Sequence, residues 1–202
     1  MKRLWILVVS LSGAIASSVG LADTNPEPGA TKAVVCQACH GANGNSVNPQ
    51  WPSLAGLGAD YIAQQLQNFK SGKRNNPVMM ANVLSLSPED MTYLGAYFGS
   101  QVNTGLEADP TYQKAGEKLY RAGDKSRGIP ACMACHGPNG YGVEPAKFPA
   151  LRGQHAEYVV KQLTDYASEA RTTGPNGAMQ TIAKRLSPDD MRNLSSYVQG
   201  LR

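Results

Sequence analysis

The chain has 202 residues, 42% of them hydrophobic and only 17% charged, with 21 glycines, 13 prolines and four cysteines. A formal net charge of +4 is too small for the basic surface that nucleic acid demands, so no nucleic-acid partner is expected. Two small lobes of such composition would each have a modest apolar core, which leaves room for a large buried cofactor.

The chain opens with the three regions of an export signal: Met1-Lys2-Arg3, the apolar run Leu4 to Val9, and small residues leading to Gly20-Leu21-Ala22. Cleavage is expected after Ala22, making residues 1–22 a signal peptide, because the Ser and Gly residues of the run suit it poorly to an uncleaved anchor. Nothing beyond residue 22 is apolar for long enough to cross a bilayer. Export to an oxidising compartment follows. Without Lys2 and Arg3, residues 23–103 carry five acids and four bases, and the rest ten acids and thirteen bases.

The first unit, residues 23–103, reaches Cys36-Gln37-Ala38-Cys39-His40 soon after Gly29. The turn residues Gly41-Ala42-Asn43-Gly44 and the segment Trp51-Pro52-Ser53-Leu54-Ala55-Gly56 follow. Ile62, Leu66 and Phe69 then recur at i, i+4 and i+7, an amphipathic helix facing a core. Asn76-Pro77-Val78-Met79 reads as a loop, and Ser87-Pro88-Glu89-Asp90 opens a final helix with hydroxyl cap, first-turn proline and acids. Its apolar stripe is Met91, Leu94 and Phe98.

Residues 104–111 read as a linker, and residues 112–202 repeat the unit. Cys132-Met133-Ala134-Cys135-His136 lies 96 positions after the first motif; Phe148-Pro149-Ala150-Leu151-Arg152-Gly153 and Tyr158, Gln162, Leu163 match at 97; Met179, Ser187-Pro188 and Tyr197 match at 100. Gly137-Pro138-Asn139-Gly140 repeats the turn, Val159, Leu163 and Tyr166 repeat the helix stripe, and the loop Asn176-Gly177-Ala178 leads to Met179. The copies differ in one place. Gly29 precedes Cys36 by seven residues and Gly116 precedes Cys132 by sixteen, so the first helices and the surroundings of the two motifs need not be equal. No strand alternation persists, and the fold class is all-α: two tandem lobes, each a few helices around one cofactor.

In CxxCH the two cysteines fall on one side of a helical turn, within reach of the two vinyl groups of a porphyrin, and the histidine can ligate iron. Two such motifs in a duplicated, exported chain predict two covalently attached c-type haems, through Cys36 and Cys39 and through Cys132 and Cys135. Disulfides are disfavoured because no cysteine is left over. A shared zinc site would need ligands from both repeats, and a thioredoxin-like pair needs a βαβ context. His40 and His136 are the proximal ligands. Met79 and Met179 are the best sixth ligands because they correspond in the repeat, whereas Met80 corresponds to Gln180. Met91 and Met191 belong to the core, and His155, facing Gly58 in the repeat, reads as a surface or helix-start residue.

These motifs, with the paired Pro-x-Leu-x-Gly segments and Ser-Pro-led helices, resemble cytochrome c4, the duplicated dihaem branch of class I cytochromes c, over nearly the whole mature chain. The resemblance implies haem propionate edges near the interface between lobes. It also implies that the carbonyls of Pro52 and Pro149 accept hydrogen bonds from the ligand histidines, and that Leu54 and Leu151 pack on the haems. It further implies a periplasmic electron carrier between membrane-bound respiratory complexes and terminal oxidases, with peripheral membrane attachment in some members. We expect a monomer that carries electrons and has no enzymatic turnover, since Met/His ligation leaves no open iron position. The runner-up is a cytochrome subunit of an enzyme such as a flavoprotein sulfide dehydrogenase, and a peroxidase-like haem enzyme is the remotest reading.

Overall fold

A computed structural model describes residues 26–202, so the expected signal peptide lies outside the described residues. The described chain is helical, with isolated bridges and no sheet. None of its helices is long and apolar enough to cross a membrane.

The first lobe comprises α1 (Glu27–His40), α2 (Ala59–Lys70), α3 (Pro77–Val83) and α4 (Pro88–Ser100). The second comprises α5 (Pro110–Ala122), α6 (Met133–His136), α7 (Ala156–Ala167), α8 (Ala178–Ala183) and α9 (Pro188–Gly200). Helix α5 opens at Pro110, inside the segment read as a linker, because the Asp109 side chain accepts the Thr111 amide and caps it. The final helices of both lobes begin with reciprocal capping boxes, Ser87 with Asp90 and Ser187 with Asp190.

Each lobe is built on its final helix: α1 and α2 pack against α4 in the first lobe, and α5 and α7 pack against α9 in the second. In the first lobe Ala33, Ile62, Leu94, Tyr97 and Phe98 form the core, with Cys36, Leu54 and Leu66 partly buried against it. In the second, Leu119, Tyr120, Leu163, Met191, Leu194 and Tyr197 do so, with Cys132, Leu151, Val159 and Met179 against them. Met91 and Met191 are buried core residues. The first helix crosses the last at a glycine in both lobes. A methyl group on Gly29 would overlap the Tyr93 carbonyl and Tyr97 Cβ, and one on Gly116 would overlap the Asn193 carbonyl and Tyr197 Cβ.

Beyond that shared crossing the lobes part. Helix α1 runs unbroken into Cys36 and His40. Helix α5 ends at Gly123, with φ of 66°, and a loop closed by mutual backbone hydrogen bonds of 2.8 Å between Asp124 and Ile129 intervenes before the single turn α6. The unequal spacing from Gly29 and Gly116 to the motifs is this loop.

Candidate functional site

Both CxxCH motifs end a helix, which holds the cysteines on successive turns and the histidine at the last helical position. Gly41 and Gly137 then turn the chain away, with φ of 78° and 80°, a conformation open to glycine at little cost. The four cysteines are free, Cys135 exposed and the others half-buried. Burial pushes the Cys36 thiol upward and the Cys132 thiol up to about 11. The thioredoxin-like reading lacks its βαβ context: the described residues form helices and isolated bridges, with no sheet. The zinc reading also lacks its ligand set: among the described residues no cluster of three or more His, Cys, Asp or Glu could hold a metal ion.

His40 and His136 are buried, and their rings are held from behind. His40 Nδ1 donates to Pro52 O at 2.8 Å, and His136 Nδ1 donates to Pro149 O at 2.9 Å. With Nδ1 donating, Nε2 carries the lone pair and is the atom left to bind iron. Burial lowers both imidazole pKa values, against the opposing effect of the proline carbonyls, which favours the neutral ring. Leu54 and Leu151 stand two residues beyond these prolines, their amides bonded to Gly44 O at 2.7 Å and Gly140 O at 2.8 Å.

The methionines are placed differently from the sequence reading. Met79 lies in α3 and Met179 in α8, both helical where loops were expected. Asn76 is the reason in the first lobe: its side chain accepts the Met79 amide at 3.0 Å, and Pro77 follows at the first helical position, a pair of signals for helix initiation. In the second lobe the tight turn Pro175–Gly177 leads directly into α8. Met79, Met80 and Met179 are all half-buried, and Met179 packs against the core. In a helix adjacent residues point about 100° apart, so Met79 and Met80 cannot face one ligand together.

His155 also needs correction in part. It does begin a helix, at the start of α7, but it is only 5% exposed, because the first lobe covers it and its Nε2 donates to Ser46 O at 2.8 Å. Next to it, the buried Gln154 side chain accepts from Ser53 N at 2.9 Å and donates to Ser53 O at 2.8 Å.

A second contact between lobes is nearly symmetric. Arg74 donates to Gln65 of its own lobe at 3.0 Å and to Tyr158 and Gln162 of the other at 2.8 and 2.7 Å. Arg171 donates to Gln162 of its own lobe at 2.6 Å and to Tyr61 and Gln65 of the other at 3.1 and 2.9 Å. Burial opposes ionisation of Tyr158, but the charges of Arg74 and Arg171 outweigh it and lower its pKa. The acceptors in this network are neutral, which leaves two buried guanidinium charges suited to further anionic groups. Sequence reading paired Tyr61 with Tyr158 and Gln65 with Gln162 but missed the arginines. The same offset of 97 relates Arg74 to Arg171.

The arrangement fits two covalently held haems: paired thiols at a helix end, a buried neutral imidazole with one nitrogen free, and a half-buried methionine in each lobe. Comparison with known proteins agrees. The family model for cytochrome c matches residues 27–101 and again residues 113–202. A cytochrome c4 from Pseudomonas aeruginosa is 47% identical over 174 residues, covering 86% of this chain and 87% of that protein. A thiosulfate dehydrogenase electron acceptor from Thiomonas intermedia is 40% identical over 200 residues, 96% of this chain and 89% of that one. The crystal structure of reduced cytochrome c4 from Pseudomonas stutzeri matches with a TM-score of 0.86 at 44% identity, over 88% of this chain and 99% of the other.

Proposed function

The chain belongs to the cytochrome c4 family, and from that premise we propose that it is a periplasmic carrier passing electrons between membrane-bound respiratory components, towards a terminal oxidase. It is a dihaem electron-transfer cytochrome with two covalently attached c-type haems. The observation that carries the reading is the pair of buried histidines, each oriented by a proline carbonyl at the end of a CxxCH turn.

Cys36 and Cys39, and Cys132 and Cys135, would attach the haems; His40 with Met79, and His136 with Met179, would hold the irons. When bound, each haem would supply a one-electron couple, and a methionine ligand would raise its potential. The chain's own contribution is to fix and shield. Pro52 and Pro149 hold the ligand rings in one tautomer and orientation, which limits reorganisation when the iron changes charge. Leu54 and Leu151, partly buried against the lobe cores, would exclude water from the ring faces. Arg74 and Arg171 bring positive charge to the contact between lobes, where haem propionates would find cationic partners. With a methionine on each iron no position remains for a small-molecule substrate, which favours a carrier over an enzyme. The leader Met1 to Ala22 supports export to the periplasm, and peripheral membrane attachment and a monomeric state complete the reading.

The kinship to the Thiomonas intermedia protein supports a second reading of the donor: a thiosulfate-oxidising enzyme. Mixing the oxidised protein with such a dehydrogenase and its substrate separates the two, since rapid haem reduction would be seen only in the second case.

The ligand assignment is tested with Met79→Ala and Met179→Ala. Each substitution should remove the methionine-to-ferric-iron charge-transfer band of one haem and lower the potential of that haem alone. Retention of both bands in either variant would overturn the assignment.

A further inference from the structure

In the first lobe the peptide that orients the ligand histidine is gripped from the second lobe. His40 Nδ1 donates to Pro52 O at 2.8 Å, and the nitrogen of the same peptide unit, Ser53 N, donates to Gln154 Oε1 at 2.9 Å. Gln154 Nε2 also donates to Ser53 O at 2.8 Å, so one side chain engages both polar groups of Ser53. Gln154 Oε1 is steadied in turn by the His155 amide at 3.1 Å. His155 reaches the Ser46 carbonyl, and Ser46 Oγ donates to Cys39 O at 3.4 Å, within the attachment motif itself. Ser46, Ser53, Gln154 and His155 are all buried, so these bonds form away from competing water.

The second lobe has no counterpart. Its orienting peptide is Pro149-Ala150, and among the described residues no side chain bonds the Ala150 amide. The residues that match Gln154 and His155 in the repeat are Leu57 and Gly58, which offer no side-chain hydrogen bond.

We propose that Gln154 is a positioning residue for the first haem, acting through the Ser53 amide and the Pro52 carbonyl on His40, and that it makes the two haems unequal. A peptide N–H that donates to a buried acceptor polarises its own carbonyl and makes that oxygen a better acceptor. The Pro52 carbonyl therefore draws harder on the His40 Nδ1 proton, and Nε2 becomes a stronger donor to iron. Stronger donation stabilises the ferric form. Gln154 thus lowers the potential of the first haem and leaves the second untouched. The inference rests on His40 as the iron ligand of the proposed function.

The test uses the haem-loaded full chain, with redox titration and 15N-resolved NMR of the histidine ring N–H protons. In Gln154→Leu the potential of the first haem should rise and the His40 Nδ1–H resonance should move upfield, while the second haem and His136 stay fixed. Gln154→Glu keeps an acceptor for the Ser53 amide and loses the donor to the Ser53 carbonyl, so it should hold or lower the first potential. A Leu variant without an upward shift, or Leu and Glu variants that shift the first potential in the same direction, would overturn the proposal, the latter because loss of the grip alone would then explain both. Wild-type protein with no histidine-ligated first haem would instead sink the ligand reading beneath it.

Discussion

The two lobes share a helix crossing, a capping box, a buried histidine and an orienting proline, but they reach the motif by different routes and are gripped unequally. In the first lobe one helix carries the chain from the Gly29 crossing to His40. In the second the same journey takes a helix, a loop and a single turn. Duplication preserves what the cofactor requires and leaves the approach free to vary, because only the last turn must present thiols and imidazole together. The lobe interface then adds a second asymmetry. Gln154 and His155 reach from the second lobe to both segments that flank His40, and among the described residues nothing equivalent returns.

The largest effect on this comparison should come from the part the lobes share across their contact. Arg171→Leu leaves Tyr61 without its cationic donor and Gln65 and Gln162 each short of one, which should cost about 2 to 4 kcal/mol of docking. Calorimetry should show one cooperative transition in the wild type resolving into two. A single unchanged transition would mean that the lobes are coupled elsewhere.

Next in size are the glycine crossings. Gly29→Ala and Gly116→Ala each press a methyl group onto a carbonyl of the final helix and should destabilise the host lobe by about 1 to 3 kcal/mol. Equal losses, read by denaturant unfolding at the haem bands, would sharpen the claim that the crossing is the conserved element. A loss in one lobe only would break it.

The smallest effect is electrostatic. Asp90 is held down to about 2, first by Lys32 and then by the Ser87 amide, and Asp190 is lowered chiefly by Arg127, which stands on the inserted loop. Both carboxylates have folded values below their unfolded ones. Each therefore stabilises its lobe at neutral pH, and the contribution fades as pH falls from about 4 towards the folded value. Arg127→Ala should lower the stability of the second lobe at neutral pH and weaken its dependence on pH below about 4, leaving the first lobe unchanged, a small effect for pairs this exposed. Acid titration of each lobe's haem spectrum checks it, and equal sensitivity in both lobes would deny the loop this role.

The helices, the repeat and the haem motifs were legible because periodicity, caps and Cys-x-x-Cys-His spacing act locally. Helices α3 and α8 were missed because each is under two turns of α-helix, and its signals, a capping Asn76 or a Pro175–Gly177 turn, look like a loop in sequence. Gln154 and His155 were illegible for another reason. Their partners lie 101 and 109 residues away, and the repeat, which exposes matched positions, hides those where the lobes differ. Arg74 and Arg171 fall between these cases, visible in the offset and silent about the contact.

The central claim is that the chain holds two complete but unequal haem lobes. Spectroelectrochemical titration of the wild-type protein, with haem quantified in the same sample, tests it most directly. Two haems per chain, both with the methionine charge-transfer band, reduced in two one-electron steps at different potentials, are the predicted result. One haem per chain, or two haems titrating together at one potential, would contradict it.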